Sequence, residues 1–595
     1  MEALDRLEKH WRWWVVLFWL AAAILMTIGH WRGIQAFALP DTDDNMRIMQ
    51  VRAWLDGQGW FDLRQYRLNP PDGANIHWSR LVDLPIAGIK LALMPLIGGA
   101  GAEKVAVTLA PLLPMAVAML AMGFATRRLI APLAFGLAIA ILLCAPSTLA
   151  MWTPLRIDHH GWQLALLAWS VAALTDPKPA RGGLVLGVST ALSLTIGLEM
   201  LLYLAVAGTC VALMWVRDSS EARRLAAYGA SLAGGCSLGF VLFASYANRA
   251  PVCDALSPVW LSAMIGAGAV AVLLSVVPAA SWKARLLFAA AGGAVVAGGF
   301  AWAWPGCLGP LEHASPELKS LWLDNVREAR PLYLHGLETS IVVAALPVAG
   351  LIGYAVMLWR ERRDPDRLAL WAATAAPALL AALLLLWQSR AGPAAQLLAV
   401  PGATALGWAI IPRIHSSKLM LVRVLGTVAA FLLVSGILPR QAATLIPQKN
   451  KPVMKVVNRA NALCPSLFAM RPVALVPKGL VLTSVDLGPR LITVTHHDAV
   501  AGPYHRNGQD IIDVMRAFRG SADEAKAIVD RRHIDYVLVC PALSETTVYA
   551  SAAPRGFYVQ INRGQLPAWL TPVPLPVRSP FKMWRVVKAP APSAT

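Results

Sequence analysis

Long apolar runs set the first limit on what this chain can become. A helix needs about 20 mostly apolar residues to cross a bilayer core. Only helices and closed barrels satisfy their own backbone there. Runs of that kind lie at 13–30, 104–124, 129–150, 162–175, 183–197, 199–216, 225–245, 258–278, 285–304, 339–358, 368–387, 394–411 and 418–438. They predict a polytopic α-helical membrane protein with about 13 spans. One further run, 84–98, is shorter and contains Lys90 and two prolines. The first run is flanked by Arg6, Lys9 and Arg12 and has no small-residue cleavage site behind it. It reads as a retained span rather than a signal peptide.

Charge orients the spans. Only 15% of the 595 residues are charged, against about a quarter in soluble domains. The net charge is +19, and short loops carry much of it, in clusters at 127–128, 178–181, 217–224, 283–285, 360–367 and 413–423. Positive charge marks cytoplasmic loops. All these clusters share one side if the N-terminus is inside and 84–98 lies at the interface or is half inserted. The outer segments are then 31–83, 151–161 and 305–338, within a membrane domain of residues 1–439, followed by a tail of residues 440–595. A bacterial-type cytoplasmic (inner) membrane with the tail outside is expected, its basic loops also meeting anionic membrane lipids. No basic-aromatic motif points to nucleic acid. The seven cysteines lack C-x-x-C spacing, which argues against a zinc or iron–sulfur knot.

The tail has a different grain. Pro477 to Val485 reads as a strand, 509–518 and 522–531 as amphipathic helices, and 535–540 and 581–587 as strands. Such alternation predicts a small extracytoplasmic α/β domain. Cys464 with Cys540, and Cys253 with Cys307, are candidate disulfides in outer segments; free buried cysteines are the other reading.

Polar residues concentrate in the outer segments. Asp41, Asp43 and Asp44 crowd within four residues directly after a span. Sharing a cation relieves their repulsion, and hard oxygen ligands suit Mg²⁺ or Mn²⁺. Alternatively they cap a helix running from about 45 to 56. Arg156, Asp158, His159 and His160 lie between two spans, where ionisable groups are functional candidates. They complete a metal site, or cap a helix with two interfacial histidines. Asn325 to Pro331 interleaves acid and base around Glu328. Arg390, at a span end, either holds a phosphate or snorkels to the interface. In the tail, Asp486, His496, His497, His505 and Arg506 form a polar group in an apolar stretch.

In this order the motifs resemble the catalytic subunits of oligosaccharyltransferases, within the GT-C class of membrane glycosyltransferases. Asp41, Asn45 and Arg47 fit the acidic motif of the family's first outer loop. Asp158-His159-His160 fits its D-x-D or D-H-H motif, with Arg156 upstream. Val326, Glu328 and Pro331 keep the spacing of its S-V-S-E loop, with Asn325 and Arg327 in place of serine. Arg390 lies one turn before the family's phosphate-binding arginine position, which holds Ala394 here. Asp486 and Gly488 keep part of W-W-D-Y-G, whose tryptophans and tyrosine are absent.

The resemblance implies a GT-C type fold and a glycosyltransferase. Its donor would be a sugar or oligosaccharide on a polyprenyl-(di)phosphate carrier, passed to a protein, glycan or lipid acceptor at the outer membrane face. A divalent metal, Mg²⁺ or Mn²⁺, would sit on Asp43, Asp44, Asp158, His159 and His160. Arg156 and Arg390 would contact the donor phosphate. Asp41, Asp44 or Glu328 would act on the acceptor, and the tail residues Asp486, His496, His497, His505 and Arg506 would face acceptor or donor. A rival reading is a GT-C enzyme that uses a polyprenyl-phosphate monosaccharide to modify a lipid or surface polysaccharide. A non-catalytic transporter is disfavoured, because the ionisable groups gather at one face rather than at mid-membrane in repeated halves.

Overall fold

A computed structural model of the chain describes residues 2–309, 314–446 and 451–587. The chain divides into two compact units. The first comprises Met1–Trp31, Trp78–Glu312 and Arg327–Pro447; the second comprises Arg32–His77, His313–Val326 and Gln448–Thr595.

The first unit is helical, and each predicted run falls on helix. Among the described residues, 8 helices are long and apolar enough to cross a membrane, or 9 if the bent pair Val422–Val434 and Ile437–Ala443 counts as one span. This is a multi-pass membrane protein. The other predicted runs form helices that are short or diluted by Gly, Ser and Thr, such as Ala134–Leu142, His160–Leu174 and Pro179–Ile196. The 84–98 run is a helix that breaks at Gly98, whose φ of 75° is open to glycine without strain. Small residues set the closest helix crossings. A methyl group on Gly229 or Gly268 would meet the other's carbonyl oxygen at 2.5 Å.

Arginines of the basic loops close helix ends, where carbonyls lack intrahelical partners. Arg224 donates to the Ala173 and Asp176 carbonyls. Arg285 donates to those of Val216 and Arg217. Asp176 takes both Arg128 and Arg181. Cys253 and Cys307 form a disulfide that joins loops two helices apart, Pro258–Val276 and Trp282–Ala303.

The second unit is α/β. A short ribbon pairs β1 (Arg64–Gln65) with β2 (Ala74–Asn75). The main sheet contains β3 (Leu480–Leu482), β4 (Asp498–Ala499), β5 (Tyr536–Val539), β6 (Leu570–Pro572) and β7 (Lys582–Val586). Their order is β4-β3-β5-β7-β6, with β4, β3 and β5 parallel and the last two antiparallel. β5 is buried along its whole length, as expected for a parallel strand covered on both faces. Helices Gly508–Arg519 and Ala522–Arg531 match the predicted pair. Cys464 and Cys540 form the second disulfide.

Two pieces from elsewhere in the chain complete this unit. The 32–77 segment docks on β4 through a Leu68–Ala499 bridge. Arg67 reinforces it, bonding the Asp498 carboxylate and the Ile492 and Thr495 carbonyls. The 314–326 segment inserts Leu318, fully buried, into the core. The neighbouring Glu317–Arg516 ion pair is half exposed and contributes at most about 1 kcal/mol. The leucine dominates, since truncating such a residue costs about 3 kcal/mol. Leu318→Ala is therefore expected to lower the unfolding temperature and protease resistance of the second unit far more than Glu317→Ala. Differential scanning fluorimetry with limited proteolysis in detergent would check that ranking.

Candidate functional site

The 151–161 loop carries a dense polar cluster in the first unit. Leu155 holds a left-handed φ of 77°, a strained conformation for a non-glycine residue. Its N–H reaches the Val107 carbonyl at 2.9 Å. Gly161, in the first turn of the next helix, lies tight against the Met151 carbonyl and the Trp152 ring. Trp152 Nε1 donates to the Gly161 carbonyl at 3.0 Å. These contacts fix Asp158, His159 and His160 at the mouth of a helix end.

Asp158 is buried. It accepts Arg156 Nη2 at 2.6 Å, the His160 backbone N–H at 3.0 Å and His160 Nδ1 at 3.1 Å. Burial alone would raise its pKa, but Arg156 and His160 outweigh that and hold it well below the ordinary carboxylate range. His160 shows the converse. Burial opposes its charge, yet Asp158 pushes its pKa up to about 9. His159, stacked on His160 with ring centroids 4.4 Å apart, is shifted down by burial despite Glu199 beside it.

Glu199 joins the cluster from the short turn between helices Pro179–Ile196 and Leu201–Arg217. Its carboxylate meets His159 Nε2 at 2.9 Å and Gln163 Nε2 at 2.5 Å. Trp78 covers the other side, its ring 5.4 Å from that of His159. The ligand atoms of His159, His160 and Glu199 all lie within 4.8 Å of one another. Two imidazoles and a carboxylate fit a divalent cation, with nitrogen donors suiting Zn²⁺ or Mn²⁺ better than Mg²⁺. The cation and a proton compete for His160.

Other predicted residues of the first unit lie on neighbouring turns. Glu328 is exposed on the turn Arg327–Ala329, and Arg390 lies on Ser389–Ala391. The turns are tied together: Ser389 N–H donates to the Arg330 carbonyl at 2.8 Å and its hydroxyl to that of Glu328 at 3.2 Å. Just after Arg390, Pro393 and Gln396 bond Thr148 and Ser147, on the helix that leads into the 151–161 loop. Arg156 is committed to Asp158. An apolar cleft lined by Val82, Ile86, Pro114 and Trp162 opens beside Arg156 and Asp158.

In the second unit, Asp41 caps the helix Thr42–Leu55, accepting the Thr42 N–H at 2.6 Å. Asp44, fully buried, reaches back to the Asp41 N–H at 3.2 Å. The capping alternative is thus realised for these two. Tyr504 donates to the Thr42 carbonyl at 3.2 Å. Burial, then Asp43 and Asp41, raise its pKa well above ordinary, so the hydroxyl keeps its proton. Asn45 accepts Arg490 at 3.2 Å. His496 and His497 each bond a backbone carbonyl, of Val476 and Val473. Burial keeps His497 neutral. The His505 ring packs on His77 at 4.7 Å. Arg506 extends toward the Asn75 side chain. Asp486 sits on a tight turn after β3.

This architecture has counterparts among solved structures. The archaeal oligosaccharyltransferase AglB from Archaeoglobus fulgidus, in complex with an inhibitory peptide and a dolichol-phosphate, aligns with a TM-score of 0.65 and 14% identity, over 92% of this chain and 72% of that one. The chain has the GT-C membrane fold. The A. fulgidus enzyme tethered to an acceptor peptide containing the NVT sequon gives a GT-C match at 0.64 and 13% identity, over 90% and 69%. Its complex with Zn and sulfate gives 0.60 and 14%, over 90% and 69%. No protein-family model matches the sequence, and no curated protein matches it. The likeness is therefore one of GT-C fold, carried with little sequence identity.

Within the GT-C fold, the sequence motifs located Asp158, His159 and His160 but missed Glu199. Its only signal is a single carboxylate in the 197–200 turn, on the side that charge asymmetry calls outer. Glu199→Ala is expected to weaken Mn²⁺ or Zn²⁺ binding roughly tenfold or more in calorimetric titration of the purified protein, with helicity unchanged.

Proposed function

We propose that this protein is a glycosyltransferase. It moves a sugar or oligosaccharide from a polyprenyl-(di)phosphate carrier to an acceptor at the outer face of a bacterial-type cytoplasmic membrane. The observation that carries this reading is the cluster of His159, His160, Glu199 and Asp158 at a helix mouth of a GT-C fold. The AglB structures hold a dolichol-phosphate, an acceptor peptide and Zn, and a lipid-linked donor is inferred here by that analogy.

A divalent cation on His159, His160 and Glu199 would neutralise charge building on the departing phosphate. Asp158 orients His160 and sets its charge. Arg390 supplies a positive contact to the phosphate, and Arg156 supports it while holding Asp158. Glu328, exposed beside Arg390, orients or deprotonates the acceptor nucleophile. On the sequence motif alone, Asp43 and Asp44 are assigned as cation ligands and Asp41 as an acceptor-side carboxylate. Asp486, His496, His497, His505 and Arg506 are assigned to acceptor or donor recognition on the same basis.

Placement outside rests on charge asymmetry and on cysteine chemistry. Both disulfides lie in segments assigned to the outer side, where an oxidising compartment maintains them.

A second reading keeps the fold and changes the acceptor. Ser484 and Val485 stand where the related motif has tryptophans, which favours a monosaccharide donor and a lipid or polysaccharide acceptor. Mass spectrometry of surface glycans and glycoproteins from a deletion strain separates the two readings.

Asp158→Ala should reduce product in that strain by roughly 100-fold or more at unchanged expression; full product would exclude the site. Glu328→Gln should lower turnover by about 100-fold while binding of a polyprenyl phosphate is retained.

A further inference from the structure

The turn that carries Asp486 is shaped by a residue far away in the sequence. β3 ends at Leu482, at the C-terminal edge of the parallel strands, where open α/β sheets place ligands. The chain then tightens through Val485–Leu487 into the helix Gly488–Val494. The first N–H groups of such a turn have no partner within it. Here both find one carboxylate. Val485 N–H donates to Glu545 Oε1 at 2.9 Å, and Asp486 N–H donates to Oε2 at 2.8 Å. The Tyr549 hydroxyl, one helical turn beyond, donates to the same Oε1. A Cβ on Gly488 would collide with the Ala501 carbonyl, so the turn is seated against the strand end as well.

At this edge the hydroxyls of Thr483 and Ser484, each 3% exposed, have no hydrogen-bond partner among the described residues. Buried hydroxyls are ordinarily paired. A strand end with a clamped turn, an acidic side chain and unpaired hydroxyls is built to receive hydrogen-bonding groups.

We infer that Glu545 is a positioning residue that fixes the Ser484–Gly488 turn so that Asp486 meets a hydroxyl or amide donor of the acceptor. This rests on the transferase reading above. Glu545 itself touches no substrate. It shapes the backbone that presents Asp486. Burial and the Asp486 carboxylate push its pKa from 4.5 up to about 8, while its hydrogen bonds to Tyr549 and the two N–H groups pull the other way. Asp486 and Tyr549 are the titratable groups acting on it. The carboxyl therefore keeps its proton in the fold where it would lose it unfolded. Stability falls as pH rises from about 4.5 to about 8.

The experiment uses the full-length purified protein and the complemented deletion strain. In Glu545→Ala, amide exchange in peptides spanning 483–489 should quicken roughly tenfold, with exchange in 508–519 unchanged. Surface product should fall as in Asp486→Ala, while binding of undecaprenyl phosphate stays at the wild-type level. Glu545→Gln, which keeps one acceptor oxygen, should be intermediate in exchange and should flatten the pH dependence of unfolding. Unchanged exchange in Glu545→Ala would overturn the clamp. Faster exchange with full product, where Asp486→Ala loses product, would overturn the positioning role. Full product in both variants would overturn the acceptor assignment of Asp486, and this inference with it.

Discussion

The site depends on one electrostatic arrangement: a carboxylate, Asp158, buried at a helix mouth between a guanidinium and an imidazole. Left alone, a charge in that position is expensive to desolvate. Arg156 at 2.6 Å and His160 at 3.1 Å make it stable, and Asp158 in turn decides the protonation of His160. The strained Leu155 backbone and the tight Gly161 packing hold the loop in place. Glu199, itself held by Gln163, then anchors His159 from the adjacent turn. Removing Asp158 would take away the carboxylate that Arg156 and His160 both engage.

Part of this was legible in the sequence. Apolar runs and loop charges identify the helices and their polar connecting loops, because bilayer thickness and charge asymmetry act on local sequence. Asp158-His159-His160 stood out because three ionisable residues between two spans are costly without a role. Glu199 did not, because a single acid in a short turn has no spacing to read. The tail's strands and helices were legible from periodicity.

Long-range association was not. Nothing in the local pattern of 32–77 announces that Leu68 will bridge Ala499, or that Leu318, inside a charged loop, will enter the core of the second unit. Such pairings depend on complementary surfaces hundreds of residues apart. The cysteines left two readings open, and the structure forms both bonds. Asp41 and Asp44 likewise carried two readings, and their capping geometry is the one visible in the helix they begin.

Whether His159, His160 and Glu199 hold a divalent cation is tested most directly by an anomalous difference map from the protein equilibrated with Mn²⁺ or Zn²⁺. A peak is expected about 2.0–2.3 Å from the two imidazole nitrogens and the carboxylate oxygen. A map with no peak among these three side chains, at metal concentrations that support sugar transfer, would contradict it.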